Sequence, residues 1–99
     1  MNKIKFEKEY LVEEVGLPYD VYEGDFKIMK NEQIDTKRWS SVHELVIKHK
    51  GKFWSTEYQQ GLTESQEHFP WMDDDEVEFH EVVQYEKKVI DYKLAEDDN

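Results

Sequence analysis

The chain contains no cysteine, two prolines and four glycines in 99 residues, and only three of its 13 basic residues lie beyond Ser55. Without cysteine there can be no disulfide, thiolate nucleophile or thiolate metal site, so an intracellular, reducing compartment is expected. No stretch approaches the ~20 apolar residues that a membrane-spanning helix requires. No apolar run follows Lys3 and Lys5, so the N-terminus does not read as a secretory signal. The reading is a cytoplasmic protein without a membrane partner.

Catalytic and metal-binding patterns are also missing. There is no G-x-S-x-G, P-loop or G-x-G-x-x-G. Ser40 and Ser41 are close to His43 in sequence, but as strand neighbours they are not expected to converge on one proton. His43, His49, His68 and His80 form no H-E-x-x-H pair. His43 and His49 can share a strand face, but six residues at strand rise separate them by roughly 20 Å, too far for one ion. They read as exposed or edge histidines. The run Asp73-Asp74-Asp75-Glu76 lacks the spaced ligands of a calcium loop. The expectation is a non-enzyme with no metal and no cofactor.

What the chain has is charge, placed on one side of its midpoint. Residues 1–55 hold ten acidic and ten basic residues, whereas residues 56–99 hold fourteen acidic and three basic ones, which accounts for the whole net charge of −11. At a pI near 4.7 the surface opposes phosphate, so direct nucleic-acid binding is excluded despite the small basic-aromatic cluster Lys48, Lys50, Lys52, Phe53 and Trp54. A one-sided negative field favours a basic partner surface. Closely spaced carboxylates can imitate a phosphate track toward Arg and Lys. Charge that serves only solubility remains the competing reading.

Three Trp, six Tyr and five Phe supply enough apolar area for a folded core. At this length burial is moderate, and a second subunit is expected to help, so a homodimer is the anticipated assembly. The pattern predicts a single domain over residues 1–95 with an acidic, disordered tail over residues 96–99. Lys5–Val15 reads as an amphipathic helix carrying Leu11 and Val15, stopped by a left-handed Gly16, a returning Leu17 and Pro18. Asp25–Lys30 reads as a short strand and Asn31–Ile34 as a loop. Lys37–His49 and Lys52–Tyr58 flank Lys50-Gly51 as a hairpin. Leu45-Val46-Ile47 is apolar on both faces, which marks a central strand. A helical turn is possible at Thr63–Glu67. Glu76–Glu86 alternates as a strand, and Lys87-Lys88 reads as a second turn ahead of Val89–Leu94. The fold class so derived is α+β: one N-terminal helix on an antiparallel sheet of about four strands. Trp39, Trp54, Tyr58, Phe69 and Trp71 are expected mainly in the core, with some free to line a pocket or a dimer seam.

The central segment resembles a known group. Asp35-Thr36-Lys37-Arg38-Trp39-Ser40 leads into Val42-His43-Glu44-Leu45-Val46-Ile47. Gly51-Lys52-Phe53-Trp54, Tyr58, Gly61-Leu62-Thr63-Glu64-Ser65-Gln66-Glu67 and Phe69-Pro70-Trp71 follow. With Tyr10-Leu11-Val12-Glu13-Glu14, this resembles small, mostly uncharacterised proteins of tailed phages and prophages of Gram-positive bacteria, over about four-fifths of the chain. The resemblance carries no catalytic motif. It implies a role of the kind small acidic phage proteins commonly have: binding and disabling a host protein, CRISPR nucleases and other defence systems included. Asp73, Asp74, Asp75, Glu76, Glu78 and Glu81 would then meet the basic host surface, with Phe69 and Trp71 as anchors. The alternative is a ligand-binding protein, for instance for a signalling nucleotide, using Arg38, Trp39, His43 and Trp54. A phage regulatory or assembly subunit is the third reading.

Overall fold

The computed structural model describes residues 2–22, 24–62 and 69–95. Five strands, β1 (Lys3–Glu7), β2 (Phe26–Thr36), β3 (Ser40–His49), β4 (Lys52–Gly61) and β5 (Glu76–Val82), form one antiparallel sheet in the order β1-β5-β4-β3-β2. The expected α+β class is therefore wrong: the regular structure of the described residues is almost wholly β. Among the described residues the only helical element is a single wide turn, Tyr10–Val15.

The error lies in the first seven residues. Ile4 and Phe6 are two apart, with Lys3, Lys5 and Glu7 between and around them, and that alternation is satisfied by pairing with β5: Ile4 lies opposite Phe79 and Phe6 opposite Val77. The first three residues of the predicted helix, Lys5–Glu7, thus belong to a strand. What remains has no side-chain cap at Glu9, and the N–H groups of Gly16 and Leu17 both donate to the Leu11 carbonyl, at 2.9 and 3.0 Å. The stop reads as expected. Gly16 is left-handed at φ 100°, and Leu11, Val15 and Leu17 are buried.

The β3–β4 hairpin is the clearest agreement. Lys50 (φ 51°) and Gly51 (φ 77°) form a two-residue turn with both residues at positive φ, which matches the twist of the flanking strands. The Lys50 N–H also donates to Asp25 Oδ2 at 2.9 Å. β3 is an interior strand, between β4 and β2.

β2 corrects the loop expected at Asn31–Ile34. The strand runs unbroken through it, but the register shifts between Ile28 and Lys30 and again between Gln33 and Asp35. Met29 and Ile34 are the extra residues, and each bulge resets the alternation that a sequence pattern depends on. At the other end, β5 stops at Val82 rather than Glu86, and residues 83–95 have no regular structure. The turn expected at Thr63–Glu67 and the tail over residues 96–99 lie outside the described residues.

Alternation sorts the sheet into two faces. The inner face carries Ile4, Phe6, Phe26, Ile28, Leu45, Ile47, Trp54, Tyr58, Val77 and Phe79, packed with Leu11, Val15, Leu17 and Trp71. Phe6 meets Phe26 and Phe79 edge-on, at 5.6 and 5.8 Å between centroids. His49 belongs to this core rather than to an edge: it stacks on Phe26 at 4.2 Å, and its Nδ1 lies 2.7 Å from the Asp25 carbonyl. The outer face carries Lys30, Glu32, Glu44, Val46, Lys48, Phe53, Ser55 and Val82, and no other described layer covers it fully.

Candidate protein-binding surface

The acidic segment is held by a buried tryptophan. Trp71 sits in a left-handed conformation (φ 55°), strained for so bulky a residue. It is kept there by packing edge-on against Tyr58 at 5.8 Å and by donating from Nε1 to the Glu57 carbonyl at 3.0 Å. That carbonyl is on β4 beyond Phe53–Ser55, the only β4 residues in register with β5. Around Trp71, the Met72 N–H donates to the Phe69 carbonyl and the Asp74 N–H to the Trp71 carbonyl. The Lys8 N–H donates to the Asp75 carbonyl at 2.9 Å, tying this turn to the end of β1. With the backbone pinned inward, Asp73, Asp74, Asp75 and Glu76 are all exposed.

The register adds acids that are distant in sequence. Glu7 pairs directly opposite Glu76, and a groove of about 350 Å3 is lined by Glu7, Lys8, Glu9, Asp75 and Glu76. A second cleft, of about 510 Å3, gathers Asp35, Glu57, Asp73 and Asp74 around Lys37, over Ile34, Val42, Tyr58 and Met72. Among the described residues, none of Asp73, Asp74, Asp75 or Glu76 is within ion-pair distance of a cation. The sequence has no lysine or arginine between Lys52 and Lys87 to supply one locally.

The charges are also polarised along the strands. Lys27, Lys48, Lys50 and Lys52 gather where β3 turns into β4, and Lys3 begins β1 on the same side. Glu7, Asp73, Asp74, Asp75 and Glu76 gather at the opposite end. Glu78 and Glu81 lie between and are partly answered. Glu78 is 3.4 Å from Lys3 Nζ and 3.6 Å from His80 Nε2; Glu81 is 3.9 Å from Lys52 Nζ and accepts from Asn2 Nδ2 at 2.8 Å.

Of the two proposed anchors, Phe69 is exposed and Trp71 is buried, so Trp71 builds the surface instead of contributing contact area. The alternative ligand residues are not brought together. Arg38 stacks on exposed Trp39 at 4.9 Å in the β2–β3 turn, and His43 stacks on Tyr58 at 4.9 Å. Trp54 is buried opposite Ile47, four residues along the strand from His43. None of the four lines either cleft described above.

Ser41 and His43 do converge, contrary to the sequence expectation, because residues two apart on a strand share a face. Ser41 Oγ is 2.8 Å from His43 Nε2. Among the described residues nothing bonds the other ring nitrogen, and Ser41 Oγ also reaches the Gln60 carbonyl at 3.4 Å. A serine–histidine pair without an orienting group lacks the third member of a nucleophilic relay. No group of three or more His, Asp or Glu side chains suited to a metal occurs among the described residues, and no described helix is long and apolar enough to cross a membrane.

Glu7, Glu9, Asp35 and Glu57 were not identified from sequence. Only Glu57 falls within the acidic half; the others join the surface through strand register and the β2 bulge, for which a linear pattern carries no signal. Compared with known proteins, the chain matches no family model, no curated protein and no solved structure.

Proposed function

We propose that this is a phage-encoded, non-enzymatic protein that binds and inhibits a host protein in the host cytoplasm by presenting its acidic pole to a basic cleft, partly imitating nucleic acid. The observation that carries the reading is the uncompensated run Asp73–Glu76, exposed at one end of the sheet and extended across β1 by Glu7 and Glu9. Charges clustered this way, with no ion-pair partner among the described residues, steer a cationic surface and fix its register. Phe69 supplies exposed aromatic area beside them. Glu78 and Glu81, partly neutralised by Lys3 and Lys52, contribute less. A nuclease of a defence system has a phosphate-binding groove of the required sign, which makes that class the first to test.

The experiment is capture from host lysate with wild-type protein and with Asp74→Lys/Asp75→Lys/Glu76→Lys. These side chains are exposed, so the triple variant is expected to fold as the wild type does while losing a salt-sensitive partner. Equal capture by the triple variant at about 0.15 M salt, where the screening length is about 8 Å, would sink the proposal.

A further inference from the structure

The segment from Val83 to Ala95 has no regular structure, yet it carries Val83, Tyr85, Val89, Ile90, Tyr92 and Leu94, exposed by between 74% (Val89) and 93% (Leu94). The two tyrosines alone offer on the order of 150–250 Å2 each. The six side chains together approach the roughly 800 Å2 per partner that a stable protein interface buries.

The outer face has the complementary features. Met29, Val46, Phe53, Ser55 and Val82 floor an open cleft of about 630 Å3, and Val83–Glu86 already run along its margin. Beside it lies a row of carboxylates: Glu32 opposite Glu44, and Glu44 opposite Glu57, across β2, β3 and β4. Like charges directly opposite one another oppose pairing. Only Lys30 answers them among the described residues, at 3.2 Å from Glu32 and 3.0 Å from Glu44. The arm, by contrast, holds Lys87, Lys88 and Lys93, the only basic residues after Lys52.

We propose that two copies of this chain pair through their outer faces, each laying its arm, residues 83–95, across the apolar cleft and carboxylate row of the other. Each copy carries both halves of the interaction, which is the self-complementarity that a two-fold dimer requires. Apolar area supplies the affinity, and the lysines of the arm set its register against Glu32, Glu44 and Glu57. This interface shares Glu57 with the acidic cleft but none of Asp73, Asp74, Asp75 and Glu76, so it stands or falls independently of the proposed host partner.

Sedimentation equilibrium of the purified full-length chain tests it, alongside a chain ending at Val82, Phe53→Glu, and Lys87→Glu/Lys88→Glu. The expected result is a dimer for the full chain and a dissociation constant weakened at least about 100-fold by truncation or by Phe53→Glu. The double lysine reversal is expected to weaken it by about tenfold, increasingly so at low salt. Circular dichroism should retain the sheet spectrum in each variant, and because Phe53 and the arm lie outside the inner core, loss of one variant's fold leaves the others to decide. A full chain that is monomeric at 100-fold above the micromolar range overturns the proposal. A monomer whose arm amides are protected from exchange would instead assign the cleft to the chain's own arm. A dimer that survives truncation at Val82 overturns it in favour of another surface.

Discussion

On the inner face of the sheet, Leu45, Ile47 and Phe79 are closed off from solvent together with Leu11, Val15 and Leu17; on the outer face, Val46 and Phe53, a single residue along the same strands, are only half covered. Each chain end carries the apolar residues to cover a face. The N-terminal end does so because Gly16 turns it back over the sheet, which lets Leu17 rejoin Leu11 and Val15. Among the described residues the C-terminal end has no such device after Val82, and Val83, Tyr85, Val89, Ile90, Tyr92 and Leu94 stay exposed. Amphipathic composition is therefore not enough to bury a segment; a reversal that returns it to the sheet is also needed.

The largest test of this contrast compares two phenylalanines on opposite faces. Phe79→Ala removes a fully buried ring and is expected to cost about 3–5 kcal/mol, whereas Phe53→Ala on the half-open face should cost about 1 kcal/mol in the monomer. Urea denaturation of both variants at a concentration below dimer formation provides the comparison, and similar costs would mean that the outer face is covered within one chain.

Next come the two inner-face tryptophans. Trp71→Phe leaves the Glu57 carbonyl without its 3.0 Å donor and should cost about 1–3 kcal/mol. The indole N–H of Trp54 is buried with no partner among the described residues, so Trp54→Phe removes an unpaired polar group and should cost less. The reverse order, measured by the same denaturation, would remove Trp71 as the pin of the acidic turn.

Gly16→Ala tests the reversal itself. A Cβ there would lie 2.6 Å from the Tyr22 ring, on a backbone at φ 100°. A cost of about 1–2 kcal/mol is expected from the left-handed conformation, read as a lowered thermal midpoint; no change would show that the N-terminal cover does not depend on this turn.

The smallest effect concerns pH. Burial raises the pKa of Tyr58 above its ordinary value near 10, although its hydrogen bond to Asn31 acts the other way. The fold thus favours the protonated phenol. Its contribution is fully present below the unfolded-state value and is lost as pH rises through the higher folded-state value. This contribution should be constant up to about pH 9 and fall above about pH 10, so Tyr58→Phe should lessen the loss of urea midpoint over that alkaline range.

Several parts of this arrangement were legible in the chain itself. Lys50-Gly51 between β-rich runs announces the hairpin, and Leu45-Val46-Ile47 announces an interior strand. Gly16-Leu17-Pro18 announces a stop, and Asp73–Glu76 marks the acidic turn. Each is a local signal, carried by residues adjacent along the backbone. The failures have a common cause. Phe6 was absorbed into the neighbouring helical pattern, because only pairing with β5, more than 70 residues away, makes its alternation with Ile4 decisive. Asn31–Ile34 reads as a loop because an exposed edge strand with two bulges has no apolar period. Val83–Glu86 reads as the end of a strand because Val83 and Tyr85 continue the alternation, but no described strand pairs with it beyond Val82.

Charge sign, the absence of thiol chemistry and the positions of the tight turns were settled by residue identity, since each depends on one side chain or on local backbone freedom. Which residues share a surface was decided by the fold alone. Strand register brings Glu7 to Glu76, the divergence of β4 from β5 admits Trp71, and the single-sided cover leaves Phe53 and Val46 facing outward. Those are long-range pairings, and their energies arise only when segments distant along the chain come together.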